Sequence, residues 1–154
     1  MQATEKRSGS RARILVVDDE AVIRDLERHV LEELGHEVFE AASADEAMRL
    51  AREKKPDLIL LDILMPGLDG IHLCKLLRSD KETEDVRILI VSGLEPTRAL
   101  EESIIAGADD FLSKPIDVTE LVVRVRSLLR VRNIHDEERR TEAYIRSLQS
   151  YREQ

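Results

Sequence analysis

The run Leu58-Ile59-Leu60-Leu61 constrains the fold more than any other stretch of this chain. It is too short for a helix, it shows no polar alternation, and Pro56 just ahead of it blocks helix. Such a run reads as a strand buried on both faces of a parallel sheet. It ends on a carboxylate, Asp62. Ligands of open parallel sheets bind outside the carboxyl ends of the strands, so Asp62 points at a site. A lone strand-terminal Asp more often caps the next turn, and here the neighbouring strands decide between the two readings.

The same pattern recurs along the chain. Ile14 to Val17 is a second all-apolar strand and stops abruptly at Asp18-Asp19-Glu20. Val22, Ile23, Leu26, Val30, Leu31 and Leu34 then recur at helical spacing, and Gly35 closes that helix. Glu37 to Ala41 is a short strand, and Ser43 with Glu46 forms a capping-box start for a helix through about Glu53. Pro66 and Gly70 shape the loop after Asp62, and Ile71, Leu73, Cys74, Leu76 and Leu77 make the next helix. Val86 to Val91 is a fourth strand, ending in Ser92-Gly93, and Glu95-Pro96 opens a helix that Gly107 ends. Asp110-Phe111-Leu112 is a short fifth strand leading to Ser113-Lys114-Pro115, and Asp117 with Glu120 caps a long last helix. Five strands alternating with five helices predict an α/β fold, a doubly wound five-stranded parallel sheet with right-handed crossovers.

Only 3% of the residues are aromatic and none is Trp, so the core is expected to be built from Leu, Ile, Val and Ala. The net charge of -8 argues against a nucleic-acid backbone as direct partner and suits a divalent cation. The single cysteine, Cys74, has no internal disulfide partner and reads as a small buried apolar residue. No apolar run approaches the roughly 20 residues that cross a bilayer, and no signal-peptide core is present, so the expectation is a cytoplasmic chain with no membrane contact.

The topology should bring Asp18, Asp19, Asp62, Ser92 and Lys114 to one edge of the sheet. Three carboxylates there repel one another by about 4 kcal/mol per pair at 4 Å and an effective dielectric near 20. Lys114 offsets one charge, and a hard divalent cation with oxygen ligands, Mg²⁺ or Mn²⁺, offsets the remainder. That set suits phosphoryl transfer, in which a metal, an ammonium and a hydroxyl each stabilise an equatorial oxygen while a carboxylate attacks in line. Asp62 is the natural nucleophile.

Asp18-Asp19 after the first strand, Asp62 followed by Pro66 and Gly70, Ser92-Gly93 and Lys114-Pro115 together resemble the receiver domain of two-component response regulators, the CheY-like superfamily with a (βα)5 flavodoxin-like fold. The resemblance spans Arg13 to Val131. It implies that Asp62 is the phosphoacceptor and catalyses its own phosphorylation and dephosphorylation with Lys114 and Ser92, without being a turnover enzyme. It further implies metal ligation by Asp19, Asp62 and the Leu64 backbone carbonyl, with Asp18 acting through water. Ser92 and Phe111 would be the switch pair, and the Lys114-Pro115 peptide would be cis. The implied partner is a sensor histidine kinase or phosphotransfer protein, and the implied signalling face is the fourth helix, fifth strand and base of the last helix. A downstream output domain, absent from this sequence, is a further expectation.

On this reading residues 1–12 are a disordered lead-in, 13–131 the receiver and 132–154 a helical extension, linker or coiled coil. If continuous from Val118, the last helix would run about 55 Å and project from the domain. Ile134, Thr141 and Leu148, with Tyr144 and Tyr151 between them, outline a short coiled-coil seam and hence a homodimer. His29, His36, His72 and His135 share no ligand spacing and read as surface residues. Two alternatives remain: a phosphatase with an aspartyl-phosphate intermediate, and a dimerisation adaptor with a vestigial site.

Overall fold

The computed structural model describes residues 11–63, 70–93 and 95–153. Its elements alternate as β1 (Arg13–Val17), α1 (Ala21–Glu33), β2 (Glu37–Ala41), α2 (Ala44–Lys54), β3 (Leu58–Asp62), α3 (Gly70–Ser79), β4 (Arg87–Ser92), α4 (Pro96–Ala106), β5 (Asp110–Ser113), α5 (Val118–Arg130) and α6 (Glu137–Arg152). The strands form one parallel sheet in the order β2-β1-β3-β4-β5. The chain steps outward from β1 to β2 and then crosses to β3 on the other side, so a crevice opens at the carboxyl ends of β1 and β3.

Strand periodicity sorts the side chains into two layers. Leu15, Val17, Ile59, Leu61, Ile88 and Ile90 face one way and pack on Ala47 and Ala51 of α2 and Leu73, Cys74 and Leu77 of α3. Ile14, Val16, Leu58, Leu60, Leu89 and Val91 face the other way, onto Leu31 of α1 and Leu121, Val125 and Leu128 of α5. β3 and β4 are buried over their whole lengths, which is why they carry apolar runs without alternation. The helix boundaries follow local chemistry. Ser43 Oγ accepts the Glu46 N–H at 3.3 Å and Asp117 Oδ1 accepts the Glu120 N–H at 3.1 Å, while Gly35 and Gly107 take positive φ just past their helices.

Three expectations need correction. The helix that starts at Val118 does not continue past Arg130. α5 stops at Arg130, the chain turns through Val131–His135, and Asp136 starts α6 by accepting the Arg139 N–H at 2.9 Å. Asp136 with Glu137 and Glu138 places negative charge where a helix N-terminus favours it, and Val131 is buried in the turn. The apolar positions assigned to an intermolecular seam, Ile134, Tyr144 and Leu148, pack instead on the domain's own α5 layer. Second, His36 is buried, its Nδ1 accepting the Ala12 N–H at 3.0 Å, and burial holds its pKa below the ordinary value. Third, Ala12, placed in the lead-in, is itself buried by that contact; residues 1–10 lie outside the described residues.

Candidate functional site

Asp18 follows β1, Asp62 ends β3, Ser92 ends β4 and Lys114 follows β5, so four adjacent strands deliver one group each to the same edge. Lys114 Nζ lies 3.2 Å from Asp18 Oδ2 and 3.3 Å from Asp62 Oδ1, with Glu20 Oε1 at 3.8 Å. Asp18 and Asp62 are only 1% and 3% exposed, so the ammonium is what makes two neighbouring buried carboxylates tolerable. Burial pulls the Lys114 pKa down, but Asp62 and Asp18 outweigh it and the net shift is upward, so the side chain stays charged.

Local hydrogen bonds set this geometry. The Lys114 N–H donates to the Ser92 carbonyl at 2.7 Å, which locks the end of β5 to the end of β4, and the Lys114–Pro115 peptide is cis. Arg24 Nη1 donates to the Asp18 carbonyl at 2.7 Å while its Nε reaches Glu40 at 3.3 Å, so α1 and β2 jointly hold the acidic turn. Asp18 Oδ1 accepts the Glu20 N–H at 2.9 Å. Gly70 admits no side chain: a Cβ there would sit 2.0 Å from the Asp62 carbonyl oxygen and 2.8 Å from the Ile63 Cα.

Asp18, Asp19 and Glu20 bring carboxylate oxygens within 4.8 Å of one another, with Asp19 and Glu20 exposed. An all-oxygen donor set with two open carboxylates fits a hard divalent cation. The Leu64 carbonyl expected in that shell, with Pro66, lies outside the described residues. Ser92 is buried beside Asp62, and Phe111, opposite Ile90 in register, is half-buried against the α2–α4 layer. The site thus unites Asp18, Asp62 and Lys114 directly, with Asp19 at the rim and Ser92 on the adjacent strand.

Two residues of this region escaped sequence reasoning. Glu20 joins the acidic cluster, a role adjacency to Asp18-Asp19 could have flagged. Glu27, 1% exposed on α1, is pushed up to about 8, by burial first and then by Asp18 and Asp62 against the opposing pull of Lys114. Its place on the apolar stripe, four residues after Ile23 and four before Leu31, was the available signal.

A parallel sheet of this order with helices on both faces defines a class, the doubly wound flavodoxin-like α/β fold, here with paired carboxylates and a lysine at its carboxyl edge. The response regulator receiver domain matches residues 14–126, and the chain belongs to that family, the receivers of two-component, phosphorylation-dependent signalling. It is 41% identical over 118 residues to the DNA-binding dual master transcriptional regulator RpaA of Synechocystis sp., covering 77% of this chain and 49% of that one. It is 42% identical over 133 residues to the response regulator PleD of Caulobacter vibrioides, covering 86% and 29%. The chain therefore spans about half, or less, of the length of these curated relatives. Among solved structures, the Francisella response regulator 1452 receiver domain superposes with a TM-score of 0.71 at 35% identity, covering 77% of this chain and 97% of that one. A LuxR-family two-component response regulator from Aurantimonas sp. gives 0.73 at 30% identity, covering 94% and 100%. No helix among the described residues is long and apolar enough to cross a membrane.

Proposed function

We propose that Asp62 is the phosphoacceptor of this receiver, taking a phosphoryl group from the phosphohistidine of a sensor kinase or phosphotransfer protein. The observation that carries this reading is Lys114 Nζ bridging the buried Asp62 and Asp18 carboxylates at 3.3 and 3.2 Å. Asp62 attacks phosphorus in line as the P–N bond of the donor breaks, and the departing imidazole keeps the electron pair of that bond. Lys114 exchanges its contact with the Asp62 carboxylate for a phosphoryl oxygen, and the Ser92 hydroxyl donates to another. Asp19 and Asp62 with the Leu64 carbonyl, and Asp18 through water, would hold Mg²⁺ or Mn²⁺, which would supply positive charge against the transferring group. Hydrolysis of the acyl phosphate by water resets the switch, so the chain acts on itself and not on a turnover substrate.

Movement of Ser92 toward the phosphoryl group and of Phe111 into the vacated space would carry the state to α4, β5 and α5. An output domain following α6, or a homodimer formed through the C-terminal helix, would read it; the homodimer requires α6 to leave α5. The test is intact mass with Mg²⁺ and acetyl phosphate. The wild type should gain one phosphoryl mass and Asp62→Asn none, and an equal gain in both, or in neither, overturns the assignment.

A further inference from the structure

We propose that α6 is a cover on the α5 side of the signalling face, held through Asp110 and released when Asp62 is phosphorylated. The inference rests on the phosphoacceptor reading above and assigns that site a mechanical consequence within the same chain.

The contact line of α6 is Arg140, Ala143, Tyr144, Ser147, Leu148 and Tyr151, a helical stripe of which Tyr144 alone is fully buried. Tyr144 Oη donates to Asp110 Oδ2, and Arg124 of α5 donates to the same oxygen. The other oxygen of Asp110 accepts the Phe111 N–H at 2.7 Å. One carboxylate at the start of β5 therefore ties the backbone of the switch aromatic to the helix covering α5. Ser127 and Ser147 pair at 2.9 Å, and the Arg130 guanidinium lies 5.3 Å from the Tyr151 ring centre.

The docking is built to be weak. A helix of 16 residues is marginal in water by itself, and this one buries only Tyr144 fully, with Ala143 and Leu148 half-buried beside it and a few polar contacts. Docking and helix formation are thus linked, which makes α6 a two-state element. The coupling runs through one carboxylate: Asp110, the residue before Phe111, accepts both the Phe111 N–H and the Tyr144 hydroxyl. A shift of Phe111 on phosphorylation moves the Asp110 backbone and costs α6 its anchor. Undocking takes their α6 partners from Ser127 and Arg130 and leaves Arg124 alone on Asp110, which exposes that side of α5.

The experiment is hydrogen–deuterium exchange of the full chain in Mg²⁺, with and without acetyl phosphate, read on peptides within residues 137–152, with intact mass on the same samples. Phosphorylation should raise amide exchange there about tenfold. Tyr144→Phe, which keeps the ring and removes one hydrogen bond to a charged acceptor, should raise it about tenfold without phosphorylation. A phosphoryl mass gain with unchanged exchange overturns the cover and leaves the phosphoacceptor standing. Absence of the mass gain overturns both. Unchanged exchange in Tyr144→Phe overturns the role of Asp110 as the anchor.

Discussion

Replacing Glu27 by Gln should abolish a stability slope that the wild type shows across neutral pH. The Glu27 carboxyl is 1% exposed and its pKa is raised from 4.5 to about 8. Between those values the native protein holds a proton that the unfolded chain has released, so the native state binds more protons and stability must fall as pH rises. The contribution is complete below about pH 4.5, declines through the neutral range and levels off above about pH 8. At about 1.4 kcal/mol per pH unit, the interval from 4.5 to about 8 amounts to about 5 kcal/mol. Urea denaturation in EDTA, which keeps divalent cations away from Asp18, should be run at pH 5, 6, 7 and 8. The wild type should lose about 3 kcal/mol over that range beyond what Glu27→Gln loses, and Glu27→Gln should be the more stable protein at pH 8. Glu27→Leu, which continues the apolar stripe of α1, should show the same flattened slope. Parallel pH profiles for wild type and both variants would refute the argument, because a carboxyl that stays ionised in the native state carries no such linkage.

The remaining predictions concern the frame around the site. Lys114→Ala should cost about 3 kcal/mol in urea denaturation at neutral pH, because Asp18 and Asp62 lose the ammonium between them, and it should also lose the acetyl phosphate mass gain. Stability equal to wild type would show that the two carboxylates do not need their partner. Gly70→Ala should cost about 3 kcal/mol and slow phosphorylation of Asp62, since the added Cβ falls 2.0 Å from the Asp62 carbonyl oxygen and the contact is backbone; wild-type kinetics would refute the close approach. At the opposite end of the sheet, Asp109 receives Arg78 at 3.0 Å, Arg87 at 2.6 Å and the Ile88 N–H at 2.8 Å. Asp109→Ala leaves the buried Arg87 uncompensated and should cost about 4 kcal/mol while the phosphoryl mass gain is retained, a split that separates stability from site chemistry.

What the sequence disclosed and what it hid divide along one physical line. The strands were legible because β3 and β4 are buried on both faces and so carry unbroken apolar runs, and the site was legible because parallel crossovers deliver every strand's carboxyl end to one edge whatever the packing details. Asp18, Asp62 and Lys114 meet for that topological reason alone. Glu27 was hidden because apolar periodicity is counted from apolar residues: a charged side chain on the stripe between Ile23 and Leu31 reads as an interruption when it is a buried member of it.

The C-terminal helix hides its packing face on the same account. Its stripe is partly polar, with Arg140 and Ser147 among its members, so the apolar residues alone suggested a seven-residue seam through Thr141, which is exposed. The polar partners that hold this face are remote in sequence: Ser127 is 20 residues from Ser147, and Asp110 is 34 from Tyr144. His36 follows suit, its ring meeting an amide 24 residues away. Local pattern reports which segments fold and where a parallel sheet gathers its strand ends. Polar pairs between remote segments decide which surfaces the fold then keeps for itself, and in this chain the Asp110 carboxylate, one residue from Phe111, is where those two levels meet.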